Sequence, residues 1–400
     1  IKHIISHSRG YVNMKKTLAS SYGRQKSQTS GIGKTALVLS GGGSRGAYQC
    51  GAWRALIELG IPIDIVVGVS VGALNSAMVV QGDPFLTSGL WRKLVTDKVF
   101  DVKPNAQITD FASEFFRQGG ADVSGLKEII DNYLDEDLIR KSPMDFGLLT
   151  VELPLMKPRY LWKDEIPEGK MGDYIIASSS AFPALKPHTI DGKSYIDGGY
   201  ENNMPIHMAV ERGATNIIAI YLDAVGRYDK DKEMGSSDNI KLISPKWDLG
   251  SFLVFDPNNS EKIMRLGYLD AMKVFGIYDG NLYSFAKKEF DKKTLKKIDD
   301  LASLFELDPL ILYTRKSFIS RLVDIIIEHN KRSDALKEQD LSPSSIKTYL
   351  NHLNKKTAVI LIAKNIKENG EASIFNKSYI KKLIPAEINA AKVLLSFELL

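Results

Sequence analysis

A serine between two glycines is the residue whose surroundings most clearly predict chemistry in this sequence. The segment Gly68-Val69-Ser70-Val71-Gly72 has the G-x-S-x-G pattern, in which a nucleophilic serine occupies a strained turn between a strand and a helix. An apolar run over residues 65–67 precedes it, and small, helix-compatible residues follow, as such a turn requires. A helix that begins just after Ser70 would direct free N–H groups toward a developing anion. The pattern therefore predicts that Ser70 is a nucleophile.

A glycine-rich turn precedes this serine by one helix and one strand. Its sequence is Gly41-Gly42-Gly43-Ser44-Arg45-Gly46, between a strand predicted over residues 35–39 and a helix predicted over residues 47–59. The glycine spacing fits the dinucleotide-binding pattern, but the acidic residue that this pattern expects at the end of the next strand is missing. Gly33-Lys34-Thr35 resembles the end of a phosphate-binding loop but precedes its strand instead of following it. Nucleotide binding is therefore the weaker interpretation.

The same turn can serve the serine instead. Adjacent parallel strands place their carboxyl ends at one edge of a sheet, where ligands bind in open α/β folds. We therefore expect the backbone N–H groups of Gly42 and Gly43 to face the Ser70 oxygen and to form an oxyanion hole, which stabilises the charge that develops in acyl transfer. Arg45 would add positive charge beside it. The two glycine motifs together predict acyl chemistry.

Composition and charge limit the class of protein. The chain has 400 residues, of which 44% are hydrophobic and 25% charged, the proportions of ordinary globular domains. The formal net charge of +5 is too small at this length to indicate nucleic-acid binding, although it suits an anionic membrane surface. A single cysteine, Cys50, excludes an internal disulfide framework. No run of residues approaches the roughly 18 apolar positions of a membrane span.

Three regions differ in composition. Residues 1–34 include basic but no acidic residues and are rich in Ser, Gly, Gln and Thr, so we expect a basic, poorly ordered N-terminal arm. Residues 35–283 carry the alternating strand and helix patterns of one α/β domain. Residues 284–400 contain clustered lysines and amphipathic helices without a strand pattern, which predicts an all-α C-terminal extension.

Hydrophobic periodicity predicts the remaining elements of these regions. In the α/β domain we expect further helices over residues 86–95, 107–116, 124–134, 173–181, 206–212 and 261–275, and strands over 146–153, 159–162, 195–200 and 215–222. In the C-terminal region we expect helices over residues 317–330, 344–353, 358–367 and 386–399. The charged segment 223–238 is expected to be a surface loop.

The motifs, taken together and in order, resemble the patatin-like phospholipase family. They are the glycine-rich turn, the G-x-S-x-G segment and Asp197-Gly198-Gly199. The resemblance extends to Ser178-Ser179-Ser180-Ala181-Phe182-Pro183, to Asn203-x-Pro205 and to Leu266-Gly267-Tyr268-Leu269-Asp270-Ala271, the last of which looks like a helix near the end of the domain in bacterial members. It covers residues 35–275 and leaves out the N-terminal arm and the lysine-rich region.

The resemblance implies both a fold and a reaction. The fold is an α/β sandwich with a central, mainly parallel sheet, and the reaction is lipid acyl hydrolysis by a Ser–Asp dyad without a histidine. Carried over by motif, Ser70 is the nucleophile, Asp197 is the base, and the oxyanion site comprises Gly41, Gly42, Gly43 and Arg45. The chemistry is consistent, because burial raises the pKa of a carboxyl group and a helix N-terminus favours an alkoxide.

Two alternatives stay open. One is an α/β-hydrolase triad of Ser70, Asp197 and a later histidine, for which His207, His329 and His352 are available. The first of these lies in the helix just past the aspartate, and the other two look like exposed helix positions. In α/β-hydrolases the oxyanion loop also lies much farther upstream of the elbow. The other alternative is a non-catalytic lipid- or nucleotide-binding protein that kept the fold.

The same features predict partners and location. We expect a phospholipid or lysophospholipid substrate, no cofactor, no metal and no nucleic acid. The lysines between Lys287 and Lys297 and the acid-free N-terminal arm suit an anionic membrane surface, so we expect a cytoplasmic protein that associates peripherally with membranes. The oligomeric state is not readable from the sequence.

Overall fold

The computed structural model describes residues 33–100, 120–121, 124–333 and 354–400. The chain divides into two compact units, Ile1–Val274 and Phe275–Leu400. Nearly all of the predicted N-terminal arm lies outside the described residues, as do the helices predicted over residues 107–116 and 344–353.

The first unit is built on a sheet that contains eight strands in the described part of the chain. The strands are β1 (Lys34–Leu39), β2 (Ile65–Val69), β3 (Asp145–Glu152), β4 (Lys157–Trp162), β5 (His188–Ile190), β6 (Lys193–Asp197), β7 (Ala214–Ile220) and β8 (Ile240–Ile243). Their order is β5-β6-β3-β2-β1-β7-β8, with β4 added to β3. The pairs from β3 through β2, β1 and β7 to β8 are parallel, and β4, β5 and β6 add antiparallel pairs.

Helices follow most of these strands. In chain order they are α1 (Ala47–Glu58), α2 (Val71–Gln81), α3 (Pro84–Trp91), α4 (Thr96–Val99), α5 (Ser124–Tyr133), α6 (Glu136–Lys141), α7 (Met171–Ser179), α8 (Ile206–Glu211), α9 (Lys230–Met234) and α10 (Pro257–Val274). Short 3₁₀ turns cover Gly43–Gly46 and Gly198–Tyr200.

Both faces of the central strands are covered. Ala36 and Val38 of β1 pack in one cluster with Ile206 and Ala209 of α8, while the alternate residue Leu37 is equally buried on the opposite face. Strands that are buried on both faces read as continuous apolar runs, which is the property of parallel sheets with helices on each side. The predicted α/β sandwich with a mainly parallel sheet is therefore confirmed.

One side of β3 is shared by two strands, and this arrangement positions the predicted site residues. β4 pairs with one side of β3 from Gly147 to Glu152. On the other side, β2 pairs with the first part of β3 and ends with Val69 opposite Leu149. Beyond that point β6 pairs with β3 in antiparallel orientation and ends with Asp197 opposite Thr150. The ends of β2 and β6 therefore meet at neighbouring residues of β3.

The second unit is mainly helical, as predicted. Its helices are α11 (Lys292–Leu304), α12 (Arg315–Ser333), α13 (Lys355–Asn369), α14 (Ser378–Leu383) and α15 (Pro385–Leu395). It departs from an all-α region in one detail, because the two-residue strands β9 (Ser284–Phe285) and β10 (Leu312–Tyr313) form a parallel pair. Strands of two residues are too short to leave a periodic pattern in the sequence.

Two further expectations need correction. The segment 223–238 is not simply a loop, since it contains α9, whose Glu233 is almost fully buried. Glu233 accepts hydrogen bonds from the His207 backbone N–H and from Asn202 Nδ2, contacts that lie far apart in the sequence. His329, expected to be exposed, is also buried.

Among the described residues, no helix is both long enough and apolar enough to cross a membrane.

Candidate active site

Ser70 lies at a strained turn between β2 and α2. Its φ of 57° and ψ of −132° fall outside the regions that a side chain favours, and such strain concentrates at functional sites. The turn needs its flanking glycines: a β carbon at Gly72 would lie 2.2 Å from the Leu39 carbonyl oxygen, and one at Gly68 would lie 2.1 Å from the Gly72 carbonyl oxygen. The sequence of the elbow therefore dictates its geometry.

Ser178 anchors this turn from α7. The Ser70 backbone N–H donates to Ser178 Oγ at 2.9 Å, and Ser178 Oγ in turn donates to the Leu149 carbonyl oxygen of β3 at 2.7 Å. Ser178 is fully buried, so it satisfies an N–H group that would otherwise be orphaned in the interior. Sequence reasoning noted Ser178 only as part of a motif, because its two partners come from distant strands.

Asp197 ends β6 with its carboxyl group buried. Its side chain is 6% exposed, its backbone N–H donates to the Ser180 carbonyl oxygen at 2.9 Å, and its Oδ1 accepts from the Gly199 N–H at 2.7 Å. Burial raises the pKa of Asp197 to about 6, although hydrogen bonds from the Ser70 side chain and the Gly199 N–H act in the lowering direction. The carboxylate is thus a stronger base than an exposed aspartate and lies beside the serine hydroxyl.

The glycine-rich turn presents two backbone N–H groups. Gly43 has a φ of +56°, which glycine adopts without strain, and a β carbon there would lie 2.1 Å from the Phe252 carbonyl oxygen. In the described part of the chain, the N–H groups of Gly42 and Gly43 have no hydrogen-bond acceptor. The Gly41 N–H, in contrast, donates to Asn203 Oδ1 at 3.0 Å. Gly41 therefore differs from the prediction: its N–H holds the turn in place.

Asn203 lies between the three motifs. A β carbon added at Gly41 would be 2.4 Å from Asn203 Oδ1 and 2.9 Å from Ser70 Cβ. One added at Gly199 would be 3.1 Å from Asp197 Oδ1 and 3.2 Å from Asn203 Oδ1. Asn203 Nδ2 is buried and has no acceptor among the residues that the structure describes. The Asn203 amide thus binds the glycine turn and lies close to the Ser70 and Asp197 turns, a position that the sequence did not reveal.

Arg45 is placed differently from the prediction. Its Nε donates to the Gly250 carbonyl oxygen at 2.9 Å, and its Nη1 donates to the carbonyl oxygens of Asp223 at 2.7 Å and Leu222 at 3.5 Å. Arg45 is absent from the lining of the cavity that contains Ser70. The guanidinium therefore holds two loops together instead of facing the oxyanion site, since its planar fork of donors matches several carbonyl groups.

The histidines considered for a triad lie elsewhere. His207 Nδ1 is 2.9 Å from Glu233 Oε1, and its ring packs edge-to-face on Tyr160. His329 belongs to the second unit, 3.4 Å from the Thr357 hydroxyl, and His352 lies outside the described residues. No histidine of the described chain lines the cavity around Ser70. Among the residues that the structure describes, no group of three or more His, Cys, Asp or Glu side chains could hold a metal ion.

An apolar cavity adjoins the two predicted catalytic residues. It has a volume of about 700 Å³, and its lining includes Ser70, Asp197, Asn203 and three of the four glycines of the turn, at positions 41–43. Its walls are formed largely by Leu74, Trp91, Leu94, Phe100, Ile129 and Phe255. A cavity with mostly apolar walls and a few convergent polar groups is the usual form of a site for an apolar ligand.

The buried Asp197 carboxyl group should lower the stability of the fold near neutral pH. Its folded pKa of about 6 exceeds the ordinary 3.8, so the folded protein binds this proton more tightly than the unfolded chain does, and the native state loses stability as the pH rises through that window. Asp197→Asn keeps an oxygen for the Gly199 N–H and cannot ionise. We expect it to be more stable than the parent at pH 8 by up to about 3 kcal/mol, with the difference closing toward pH 4.

Tryptophan fluorescence during urea unfolding provides the measurement. All four tryptophans, Trp53, Trp91, Trp162 and Trp247, belong to the first unit, so the signal reports that unit alone. If the difference in unfolding free energy between Asp197→Asn and the parent did not change between pH 4 and pH 8, the raised pKa of Asp197 would be disproved.

Arg45 should contribute to stability through its three carbonyl partners. We expect Arg45→Ala to lower the unfolding free energy by about 2 kcal/mol, because hydrogen bonds from a charged donor are lost. Arg45→Lys should recover less than half of this loss, since lysine lacks the planar fork. Arg54→Ala, at an exposed position of α1, is the matched control. Unfolding of Arg45→Ala at the same urea concentration as the parent would disprove this structural role.

Comparison with known proteins finds a family match within the first unit. Residues 37–210 match the family model described as patatin-like phospholipase. Patatin-like phospholipase domain-containing protein 7 of Rattus norvegicus is 29% identical over 243 residues, which are 58% of this chain and 17% of the rat protein. Lysophospholipase NTE1 of Meyerozyma guilliermondii is 28% identical over 260 residues, which are 60% of this chain and 16% of the yeast protein.

The similarity is thus to one part of much longer proteins. The chain spans 17% and 16% of the lengths of these two relatives. Among solved structures, VipD from Legionella pneumophila is similar with a TM-score of 0.38 and 13% identity, over 90% of this chain and 88% of VipD. The match over residues 37–210 spans the glycine-rich turn, the serine elbow and Asp197. Residues 37–210 of this chain therefore match the patatin-like phospholipase family.

Proposed function

We propose that this protein is a lipid acyl hydrolase of the phospholipase A or lysophospholipase type, with Ser70 as nucleophile and Asp197 as base. One observation supports this most directly. A serine on a strained turn lies beside a buried carboxyl group with a pKa raised to about 6, and both line one apolar cavity. The family match supports the substrate class, because lipids are the substrates of phospholipases.

In this reaction Asp197 does the work that histidine does in a triad. The carboxylate takes the proton of the Ser70 hydroxyl as Oγ attacks the ester carbonyl carbon. The N–H groups of Gly42 and Gly43 donate to the oxyanion of the tetrahedral intermediate. Asp197 then gives its proton to the leaving alcohol, and the acyl group stays on Ser70. Asp197 next takes a proton from a water molecule whose oxygen attacks the acyl carbon. As the bond between the acyl carbon and Ser70 Oγ breaks, Asp197 returns this proton to Ser70 Oγ, and the acyl group leaves as a carboxylic acid.

The cavity supports the proposed preference for lipid esters. Its apolar walls remove the hydrocarbon chain of the acyl group from water, which contributes about 0.8 kcal/mol for each CH₂ group buried. The polar side chains of the lining are few, and they include Ser70, Asp197 and Asn203. A substrate with a long acyl chain therefore gains binding energy from the walls while its ester carbonyl stays near Ser70.

Substitution of the two reacting residues tests the mechanism. We expect Ser70→Ala and Asp197→Asn each to lower kcat for a monomeric p-nitrophenyl ester by at least about 10³-fold, and the double variant to be hardly worse, because residues that act as a unit are not additive. Asp223→Asn, an exposed aspartate in the same unit, is the matched control. In the parent enzyme kcat/KM should fall below about pH 6, where Asp197 becomes protonated.

Covalent labelling distinguishes an enzyme from a lipid-binding protein. A fluorophosphonate should modify Ser70, identified by peptide mass spectrometry, in the parent but not in Ser70→Ala. Folded protein that neither reacts with the label nor hydrolyses the ester would favour a non-catalytic lipid-binding protein. A folded Asp197→Asn variant with near-normal kcat would disprove the dyad.

We also propose that the protein associates peripherally with anionic membrane surfaces through α11. Lys292, Lys293, Lys296 and Lys297 are exposed on this helix, whereas Ile298, Leu301 and Ala302 on its other face are buried. A helix with this separation of faces keeps its cations available to solvent. Each lysine near an anionic surface contributes about 1 kcal/mol, and salt weakens the attraction.

Vesicle sedimentation tests this association. With Ser70→Ala protein, which leaves the lipid intact, we expect binding to vesicles that contain phosphatidylserine to weaken more than tenfold when the four lysines are changed to glutamine, and to weaken with salt. Lys127→Gln with Lys141→Gln is the control, because each of these lysines is paired with an aspartate on its own helix. Equal binding of the quadruple variant and the parent would contradict the proposal.

A further inference from the structure

The hairpin between β3 and β4 projects from the sheet edge that carries the reacting serine. β3 runs parallel to β2, and Val69, the residue before Ser70, lies opposite Leu149. β3 continues for three residues past Leu149, to Glu152, before the chain turns into β4. The turn carries Leu155, which is 86% exposed, and Met156, which is 47% exposed. Two apolar side chains are thus held in solvent beyond the edge where Ser70 lies.

A third exposed apolar side chain projects from the same edge. β7 is parallel to β1, and residues 223–227, called the strap below, follow its carboxyl end. The strap is held at both ends. Arg45 Nη1 donates to the Asp223 carbonyl oxygen at 2.7 Å. The Arg227 backbone N–H donates to the Gly199 carbonyl oxygen at 2.8 Å, and the Arg227 carbonyl oxygen accepts from the Asn203 N–H at 2.7 Å. Val225, between these anchors, is 87% exposed. Its exposure is therefore a property of a fixed backbone.

Two exposed aromatic side chains line the cavity beside the strap. Phe182 and Tyr200 are both more than two-fifths exposed, at 42% and 43%, and the Tyr200 hydroxyl donates to the Phe182 carbonyl oxygen. Tyr200 follows Gly199, to which the strap is bonded, so these aromatic side chains adjoin the strap. Exposed apolar groups that gather in one region of a surface indicate an interaction site.

Cations accompany the apolar tips. Exposed Lys157 follows Met156 in the chain, and Arg227 closes the strap with a side chain that is 73% exposed and lies 3.8 Å from Glu201. Apolar groups that enter the acyl boundary, flanked by cations that reach lipid phosphates, are the pattern of segments that lie in a membrane interface.

We propose that Leu155, Met156 and Val225, the apolar tips, form a docking surface that inserts into a phospholipid surface and directs the opening of the cavity toward it. The occupant is a lipid surface because the edge adjoins an apolar cavity whose ligand, under the proposed function, arrives from a bilayer. The inference rests on that function for its meaning, although insertion can be measured without catalysis. This docking surface is distinct from the lysines of α11. Burial of its apolar side chains requires no anionic lipid, and salt does not screen this contribution to binding.

Binding to neutral vesicles isolates the apolar contribution. Ser70→Ala protein is mixed with phosphatidylcholine vesicles at 0.5 M salt, alone and with Leu155→Ser/Met156→Asn. Asparagine is chosen because Met156 has a φ of 51°, which asparagine tolerates better than most residues. We expect the double substitution to weaken vesicle binding by about tenfold or more, since two apolar side chains no longer enter the acyl region. Val225→Ser should weaken it further.

Matched variants and substrates decide the outcome. Leu138→Ser removes a side chain that is 51% exposed on α6, the helix before the opposite end of β3, and should leave vesicle binding unchanged. In enzyme with an intact Ser70, Leu155→Ser/Met156→Asn should leave hydrolysis of a monomeric short-chain ester unchanged and slow hydrolysis of vesicle lipid.

Three results would overturn the docking surface: no binding of the parent to neutral vesicles, equal binding of the folded double variant, or an equal loss in Leu138→Ser. Failure of the proposed function would look different. The parent would then hydrolyse neither substrate, while the binding measurements would still report on the tips.

Discussion

The site depends on the way in which β2 and β6 divide one side of β3. Strands are held about 4.8 Å apart by backbone hydrogen bonds, and their register determines which residues become neighbours. β2 ends opposite Leu149, and β6, from the other direction, ends opposite Thr150. Two residues that are far apart in the chain, Ser70 and Asp197, are thereby brought to one point. The glycine turn follows at the same edge because β1 is parallel to β2.

Burial at this point has opposite effects on stability and on chemistry. Removing the Asp197 carboxyl group from water raises its pKa toward neutrality, which makes it a better base. The same desolvation disfavours the charged form that the proposed reaction needs, so the folded state carries an energetic cost at neutral pH. The strained backbone of Ser70 adds to this cost. Sites with this combination are held by their surroundings, here by Ser178 and Asn203.

Several charged and polar residues support the site without belonging to it. Arg45 binds the carbonyl oxygens of two loops, and Glu233 accepts three hydrogen bonds from His207 and Asn202. A buried charge is tolerated only when its hydrogen-bonding capacity is satisfied, and these groups meet that condition through backbone and side-chain partners. They fasten the segment 223–238 to the sheet edge, and this fastening keeps the strap and the apolar tip Val225 in place.

The sequence by itself determined the local features of this protein. The elbow at Ser70, the glycine turn, the apolar strands and the order of the motifs follow from residue types and short spacings, because turns and strands obey local steric rules. Only the tertiary structure decided which donors remain free. Arg45 and the Gly41 N–H looked available in the sequence, yet distant carbonyl and amide oxygens occupy them. Such partners come from other strands and loops, and no local pattern encodes a contact whose two halves lie more than a hundred residues apart.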